Sequence, residues 1–288
     1  MKVLVTGAAG MLGRDVLAAL TTRGHEALPA DRARLDVTNR VACAEVLRET
    51  RPDAVIHCAA WTDVDGAESD PDGAYRGNAL GAWNMAAACG EVGAWLACVS
   101  TDFVFDGEKG SAYDEFDQTS PVSVYGRSKE AGERLVRTAL PGRHMIARTS
   151  FLYGVHGRNI VRSIAGFART KPELTFVEDQ VVCPTHTKDL ARVLVDLLED
   201  PLSGTYHVAS SGQCSLFKLA AAIVEELGLS TPVHPTTLAE FVEKYSPPAR
   251  RPRFAPLLRR SLQMRGMDDL PDWRTALAEY LALPGATD

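Results

Sequence analysis

Apolar and polar positions fall into blocks of two kinds along the first half of the chain. Short, nearly continuous apolar runs at residues 2–6, 25–30, 53–60, 95–100 and 144–149 read as strands buried on both faces. Between them, apolar residues recur at helical spacing over residues 11–23, 41–50, 74–92 and 124–140. Strands and helices in alternation predict an α/β fold, a doubly wound parallel sheet with helices on both faces. Right-handed crossovers then bring every strand's C-terminal end to one rim, where such sheets bind ligands.

The second half is mixed. Residues 160–170, 188–198, 216–227 and 273–281 carry helical spacing, and residues 174–177 and 205–209 read as short strands. Residues 247–256 are rich in proline and arginine and predict a loop. Neither an internal repeat nor a low-complexity linker divides the chain. The chain is therefore expected to divide into a dinucleotide-binding domain at 1–150 and, at 151–288, mainly a smaller mixed α/β substrate-binding lobe with some segments returning to the main sheet.

Composition narrows the function classes. A net charge of -6 removes the electrostatic reason to expect nucleic acid. No apolar run approaches the roughly 20 residues of a membrane span. Met1 and Lys2 lead straight into the first strand, so no signal peptide is expected. Six cysteines are scattered without a Cys-x-x-Cys pair, which reads as reduced thiols in a cytoplasmic protein. Cys183 and His186 have the spacing of half a metal site, but no second pair accompanies them, and no metal is expected.

Two blocks carry chemistry. Gly7-Ala8-Ala9-Gly10-Met11-Leu12-Gly13 follows the first strand and opens the first helix. Glycines there let the backbone approach a pyrophosphate, and the N–H groups of the helix start face it. That placement makes the expected sheet Rossmann-type and assigns Gly7, Gly10, Met11, Leu12 and Gly13 to a dinucleotide. Asp31, just past the second strand, suits an adenosine ribose, whereas Arg32 and Arg34 suit a 2′-phosphate. NADH and NADPH both stay open. Asp36 and Val37 come next, with Asp36 placed to meet the adenine amino group. Small Ala59 and Ala60, then Trp61, end the third strand and leave room for the cofactor backbone.

The second block is Ser100-Thr101-Asp102 followed by Tyr125-Gly126-Arg127-Ser128-Lys129. On a helix, a phenol at i and an ammonium at i+4 leave one face. A strand-end hydroxyl, a phenol and a nearby cation are what the reduction of a carbonyl by hydride requires: an acid, a hydrogen-bond partner for the oxygen, and a charge that favours the phenolate.

Together these blocks resemble the extended short-chain dehydrogenase/reductase superfamily and, within it, the dTDP-4-dehydrorhamnose reductase family. The resemblance rests on Ser-Thr-Asp-Phe-Val-Phe-Asp-Gly at 100–107 and on Ser120-Pro121 with Tyr125-Gly126 and Lys129. It rests also on Arg148-Thr149-Ser150-Phe151-Leu152-Tyr153-Gly154, Asp179-Gln180 with Pro184-Thr185, and Leu270-Pro271-Asp272-Trp273. It implies NAD(P)H-dependent reduction of a 4-keto-6-deoxy sugar nucleotide, with Thr101, Tyr125 and Lys129 catalytic. It also implies that Tyr125 and Lys129 touch the cofactor, and that Thr101, Asp102, Phe103, Phe151 and Arg251 touch the substrate. The implied partners are the sugar nucleotide and a second copy of the chain in a homodimer. The family usually has tyrosine where Phe103 stands and tryptophan where Phe151 stands. Its Arg-Pro-x-Asn-Ser stretch appears here as Arg251-Pro252-Arg253-Phe254-Ala255, which leaves the sugar nucleotide open. The alternatives are another sugar-nucleotide epimerase or dehydratase of the superfamily, or a regulatory subunit that binds NADP without catalysis. Phe103 after Asp102 departs from the Asp-Glu pair that dehydratases commonly carry.

Overall fold

The computed structural model describes residues 1–287. In chain order, β1 (Lys2–Thr6) leads into α1 (Met11–Thr22), β2 (Glu26–Ala30) and α2 (Arg40–Thr50). Then come β3 (Ala54–His57), α3 (Val64–Ser69), α4 (Pro71–Tyr75), a π turn (Arg76–Leu80) and α5 (Gly81–Val92). After β4 (Trp95–Thr101), a 3-10 turn (Asp102–Val104) precedes α6 (Val124–Ala139) and β5 (His144–Thr149). β5, β4, β3, β1 and β2 lie side by side in that order, every pair parallel.

Alternation along these strands builds two cores. Val3 and Val5 of β1, Ile56 of β3, Ala97 of β4 and Met145 of β5 face one side, where Leu12, Val16 and Leu20 of α1 cover them. Leu4, Val55, Leu96 and Ile146 face the other side, under Leu47 of α2, Met85 of α5 and Val136 of α6. Period-2 alternation with both faces apolar explains why each strand reads as an unbroken apolar run.

The remainder begins with β6 (Leu152–Tyr153), α7 (Ile160–Thr170), β7 (Leu174–Val177), β8 (Val181–Val182), β9 (Thr185–His186) and α8 (Thr187–Glu199). It continues with β10 (Gly204–His207), β11 (Cys214–Ser215), α9 (Leu216–Glu226), β12 (Val233–Thr236), α10 (Leu238–Tyr245), α11 (Arg260–Met264) and α12 (Trp273–Leu281). β10 extends the main sheet, pairing parallel with β5. α8 completes the cover on the α1 face, contributing Leu190, Leu194 and Leu198. α7, α9 and α12 form a separate core through Ile164, Ile223 and Tyr280.

Three departures from the sequence pattern bear on the site. The third strand stops at His57, and residues 58–60 leave the sheet. The alanine-rich segment at 74–92 is not one helix but α4, the π turn and α5. The exposed helix α10 has no buried face to announce it, and the short strands β6, β8, β9, β11 and β12 carry no pattern long enough to do so. Among the described residues, no helix is long and apolar enough to cross a membrane.

Chain order reverses at β1: β2 lies on one side of it and β3 on the other. The crevice beyond those strand ends is the place where open α/β sheets bind ligands. Gly7 forms its floor with φ of 64°, and a Cβ there would lie 2.8 Å from the backbone nitrogen of Ala59. Only glycine permits that turn and that approach together.

Candidate active site

A cavity of about 1070 Å³ opens along this rim. At one end Gly7, Gly10, Met11, Leu12 and Gly13 line it where α1 begins. Gly10 caps α1 without a side chain, so no side-chain acceptor covers the first N–H groups of the helix. Asp31, Arg32, Asp36 and Val37 line the wall beyond β2, and Ala59, Ala60 and Trp61 the wall beyond β3. Asp31 Oδ1 accepts the Arg34 backbone N–H at 3.0 Å, while Arg34 Nη1 donates to the Pro29 carbonyl at 3.2 Å. Arg34 is thus turned to its own strand, and Arg32 is the guanidinium of this pair that lines the cavity. The Asp36 carboxyl sits below its ordinary range because the Thr38 backbone N–H and hydroxyl both donate to it.

At the other end Thr101, Asp102, Phe103, Tyr125, Lys129, Phe151 and Arg251 line the same cavity. Ser123 caps α6 by accepting the Gly126 N–H at 3.1 Å. A Cβ at position 126 would stand 2.2 Å from the Phe103 carbonyl oxygen. The missing side chain lets the first turn of α6 press against the 3-10 turn, which brings Tyr125 and Thr101 to the same end of the cavity.

Asn78, in the π turn, braces this end. Its Oδ1 accepts the Trp61 N–H at 2.8 Å, and its Nδ2 donates to the Trp61 carbonyl at 3.1 Å and to Ser128 Oγ at 2.9 Å. One side chain thereby ties the segment after β3 to the helix of Tyr125 and Lys129.

The electrostatics differ from the sequence expectation in one respect. Lys129 is buried, and its Nζ donates to the Val99 carbonyl at 2.7 Å. Burial lowers its pKa. Tyr125 is pushed up to about 12 by burial, and the Asp102 charge adds to the rise, while the Thr101 hydrogen bond opposes it. In this arrangement the ammonium is spent on a carbonyl, and Thr101 is the group that lowers the phenol.

Asp102 is buried, 2% exposed. Thr101 Oγ1 donates to its Oδ1 at 3.0 Å and Ser150 Oγ donates to its Oδ2 at 2.7 Å. Burial raises its carboxyl to about 6 against those two hydrogen bonds. Phe151 follows Ser150 with φ of 45°, a left-handed conformation that costs a non-glycine residue strain. Its neighbours hold it there: the Thr185 N–H donates to the Phe151 carbonyl at 3.2 Å, and the Cys183 N–H to Ser150 Oγ at 3.3 Å. Arg251 reaches the cavity from the loop after α10, with Nη2 donating to Asp65 Oδ2 at 2.6 Å and Nη1 to the Ala249 carbonyl at 3.0 Å. The Ala249 N–H meets Asp65 Oδ1 at 3.1 Å, so α3 and that loop are clasped over the cavity.

Apart from Arg34, every residue named from the sequence for cofactor or substrate thus lines one cavity. Arg76 and Arg158 also line it and were not anticipated. Neither lies in a motif; tertiary packing alone brings them there. Among the described residues, no group of three or more His, Cys, Asp and Glu is gathered to hold a metal ion. His186 instead stacks on Tyr153 with ring centroids 5.4 Å apart.

Comparison with known proteins identifies the family. The model of the family described as RmlD substrate binding domain matches residues 1–284. The chain belongs to that family. It is 38% identical over 290 residues to a dTDP-4-dehydrorhamnose reductase of Mycobacterium tuberculosis (strain CDC 1551 / Oshkosh), covering 98% of this chain and 93% of the relative. The crystal structure of a dTDP-4-dehydrorhamnose reductase from Clostridium acetobutylicum ATCC 824 superposes with a TM-score of 0.94 at 40% identity, covering 98% of each chain. That of the dTDP-4-dehydrorhamnose reductase from Bacillus anthracis str. Ames in complex with NADP superposes with a TM-score of 0.93 at 37% identity. It covers 98% of this chain and 99% of the other.

Proposed function

We propose that this chain reduces the C4 carbonyl of a 4-keto-6-deoxy sugar carried on a nucleoside diphosphate, of the dTDP-4-dehydrorhamnose kind, in deoxysugar biosynthesis. It is an NAD(P)H-dependent sugar-nucleotide reductase. One observation carries the reading of the site: a single cavity runs from the glycine turn to Thr101, Tyr125 and Lys129.

The residues fit a dinucleotide. Gly7, Gly10 and Gly13 with the backbone of Met11 and Leu12 would hold the pyrophosphate, since the start of α1 is uncapped by any side chain. Asp31 and Arg32 would hold the adenosine ribose and a 2′-phosphate, Asp36 and Val37 the adenine, and Ala59, Ala60 and Trp61 the backbone between. Arg32 in the cavity favours NADPH, and a relative that binds NADP supports this. The bound cofactor supplies hydride to the carbonyl carbon.

The chain's own work is on the oxygen. Tyr125 gives its phenolic proton as charge develops there. Thr101 orients the carbonyl and hydrogen-bonds the same oxygen. Lys129, one helical turn on, offers its ammonium to the nicotinamide ribose and adds positive charge beside the phenol once the site is filled. Phe103, Phe151 and Arg251 shape the sugar-nucleotide end. On this reading residues 1–150 are mainly the cofactor domain and 151–288 mainly the substrate lobe. The six free cysteines support a reducing compartment, the cytoplasm.

The test is a reduction assay on a panel of 4-keto sugar nucleotides with NADPH and with NADH, followed by nicotinamide absorbance. Consumption of reduced cofactor in step with a 4-hydroxy product is the expected result. Turnover without added reductant would replace this reading with an epimerase or dehydratase.

A further inference from the structure

The start of α1 has no side-chain cap and no acidic residue in its first turn. Its free N–H groups suit a pyrophosphate, whose negative charge exceeds the partial positive charge of one helix end. Most cations of the cavity stand elsewhere. Lys129 Nζ is held by the Val99 carbonyl, Arg251 by Asp65, and Arg32 lies beyond β2. Arg76 adjoins Gly77, which packs against Trp61.

Arg158 belongs to the loop between β6 and α7, and that loop packs on the first residue of α1. A Cβ on Gly154 would lie 3.2 Å from Met11 Cγ, and one on Gly157 would lie 3.9 Å from Met11 Cβ. Asn159 Nδ2 approaches Met11 Sδ at 3.8 Å. Gly157 and Arg158 line the cavity together with Gly10 and Met11. Arg158 is exposed and, among the described residues, forms no ion pair.

The loop is braced from behind. Asn159 Nδ2 donates to the Gly154 carbonyl at 2.8 Å and closes the loop on itself. Arg162, in the first turn of α7, donates from Nη1 to the Gly157 carbonyl at 3.0 Å and from Nη2 to the Gly285 carbonyl at 2.6 Å. The Tyr280 hydroxyl of α12 donates to the Ala286 carbonyl at 2.5 Å and lies 3.1 Å from the Gly154 carbonyl. Two side chains thus tie the loop to residues 285 and 286.

We propose that Arg158 is a further cofactor-binding residue whose guanidinium takes the pyrophosphate of the dinucleotide from the loop side, and that Arg162 is a positioning residue that holds Arg158 there by tying Gly157 to Gly285. This rests on the reading of the glycine turn as the pyrophosphate cradle. The chemistry recognised is a diphosphate, which the sugar nucleotide carries as well. The packing of the loop on Met11, at the cofactor end of the cavity, assigns Arg158 to the dinucleotide. A 2′-phosphate takes no part in this contact, so NADPH and NADH are held alike by it.

The experiment measures dissociation constants of NADPH and NADH by nicotinamide fluorescence, and the sugar-nucleotide KM at saturating cofactor, in wild type, Arg158→Ala, Arg162→Met and the double variant. Arg158→Ala should weaken both dinucleotides roughly tenfold, the loss of one charge-assisted contact, and leave the sugar-nucleotide KM within about twofold. Arg162→Met should weaken both in the same sense. Added to Arg158→Ala it should cost nothing further, because its effect passes through Arg158. Tyr280→Phe keeps the buried ring and releases the same loop, and it takes the place of Arg162→Met should that variant melt too low to titrate. Unchanged dinucleotide affinity in Arg158→Ala, or a loss confined to NADPH or to the sugar-nucleotide KM, overturns the assignment. An Arg162→Met loss that persists in full beside Arg158→Ala overturns the positioning role. Failure of the underlying reading looks different: Gly7→Ala would then bind both dinucleotides as wild type does.

Discussion

Phe103 meets the Tyr125 ring edge-on, with centroids 5.5 Å apart and planes at 76°. The two aromatics come from opposite sides of the contact between the 3-10 turn and α6. An edge-to-face pair fixes the tyrosine ring without engaging its hydroxyl. Tyr125→Phe keeps that contact and removes the acid alone. Turnover should fall roughly 100- to 10,000-fold with thermal stability close to wild type, measured by steady-state reduction and a melting scan. Normal turnover in a folded variant would remove Tyr125 from its role.

The floor of the cavity predicts a different kind of failure. Gly7→Ala puts a Cβ against the Ala59 nitrogen at a backbone φ of 64°. The conformation alone costs roughly 1–2 kcal/mol, and the clash separates the ends of β1 and β3. Fluorescence titration should show dinucleotide binding lost or severely weakened, together with a lower melting temperature. Unchanged affinity would place the dinucleotide elsewhere.

Arg32 predicts the coenzyme. A charge-assisted contact of guanidinium with phosphate contributes about 1.5–3 kcal/mol, so Arg32→Ala should raise KM for NADPH roughly 10- to 150-fold. NADH has no 2′-phosphate, and its KM should stay within about twofold. Equal losses for both would mean that Arg32 does not meet the 2′-phosphate.

Asp102 makes stability depend on pH with a definite sign. Its folded-state pKa is raised from 3.8 to about 6, chiefly by burial. Its favourable contribution is therefore complete below the unfolded value and is lost as pH rises through about 6. A shift of that size corresponds to roughly 3 kcal/mol. Asp102→Asn carries no such charge, so its stability relative to wild type should climb between about pH 4 and about pH 7 in urea unfolding. His57 and His207, both pushed down to about 3 by burial, have the opposite sign and are common to both proteins. A relative stability that does not vary with pH would show that Asp102 titrates as an exposed carboxyl.

The sheet was legible because parallel strands covered on both faces leave long apolar runs, as Val3-Leu4-Val5 and Met145-Ile146-Ala147 do. Gly7, Thr101, Tyr125 and Lys129 were legible because loop geometry and helical spacing force those residue types into fixed separations. Arg76 and Arg158 were not, since they reach the cavity only through tertiary packing. Asp102 was legible as a site residue, but its burial and its hold on Thr101 depend on Ser150, a residue 48 positions away. The helix α10 did carry a signal, the capping box of Thr237 and Glu240, but no buried face accompanies it. The π turn had no signal at all: nothing in the pattern of residues 76–80 separates it from the α-helix on either side.

The extra residue of that turn gives the helix length a bearing on chemistry at its far end. A π turn winds its bonds over one residue more than an α turn. Deleting a single residue from Arg76–Leu80 would let the segment relax into continuous α-helix and swing Asn78 roughly 100° around the axis. Trp61 and Ser128 would lose their shared anchor in one step, and the two walls of the cleft would drift independently. The insertion works as a shim, and trimming it would misalign cofactor and acid while leaving both in the protein.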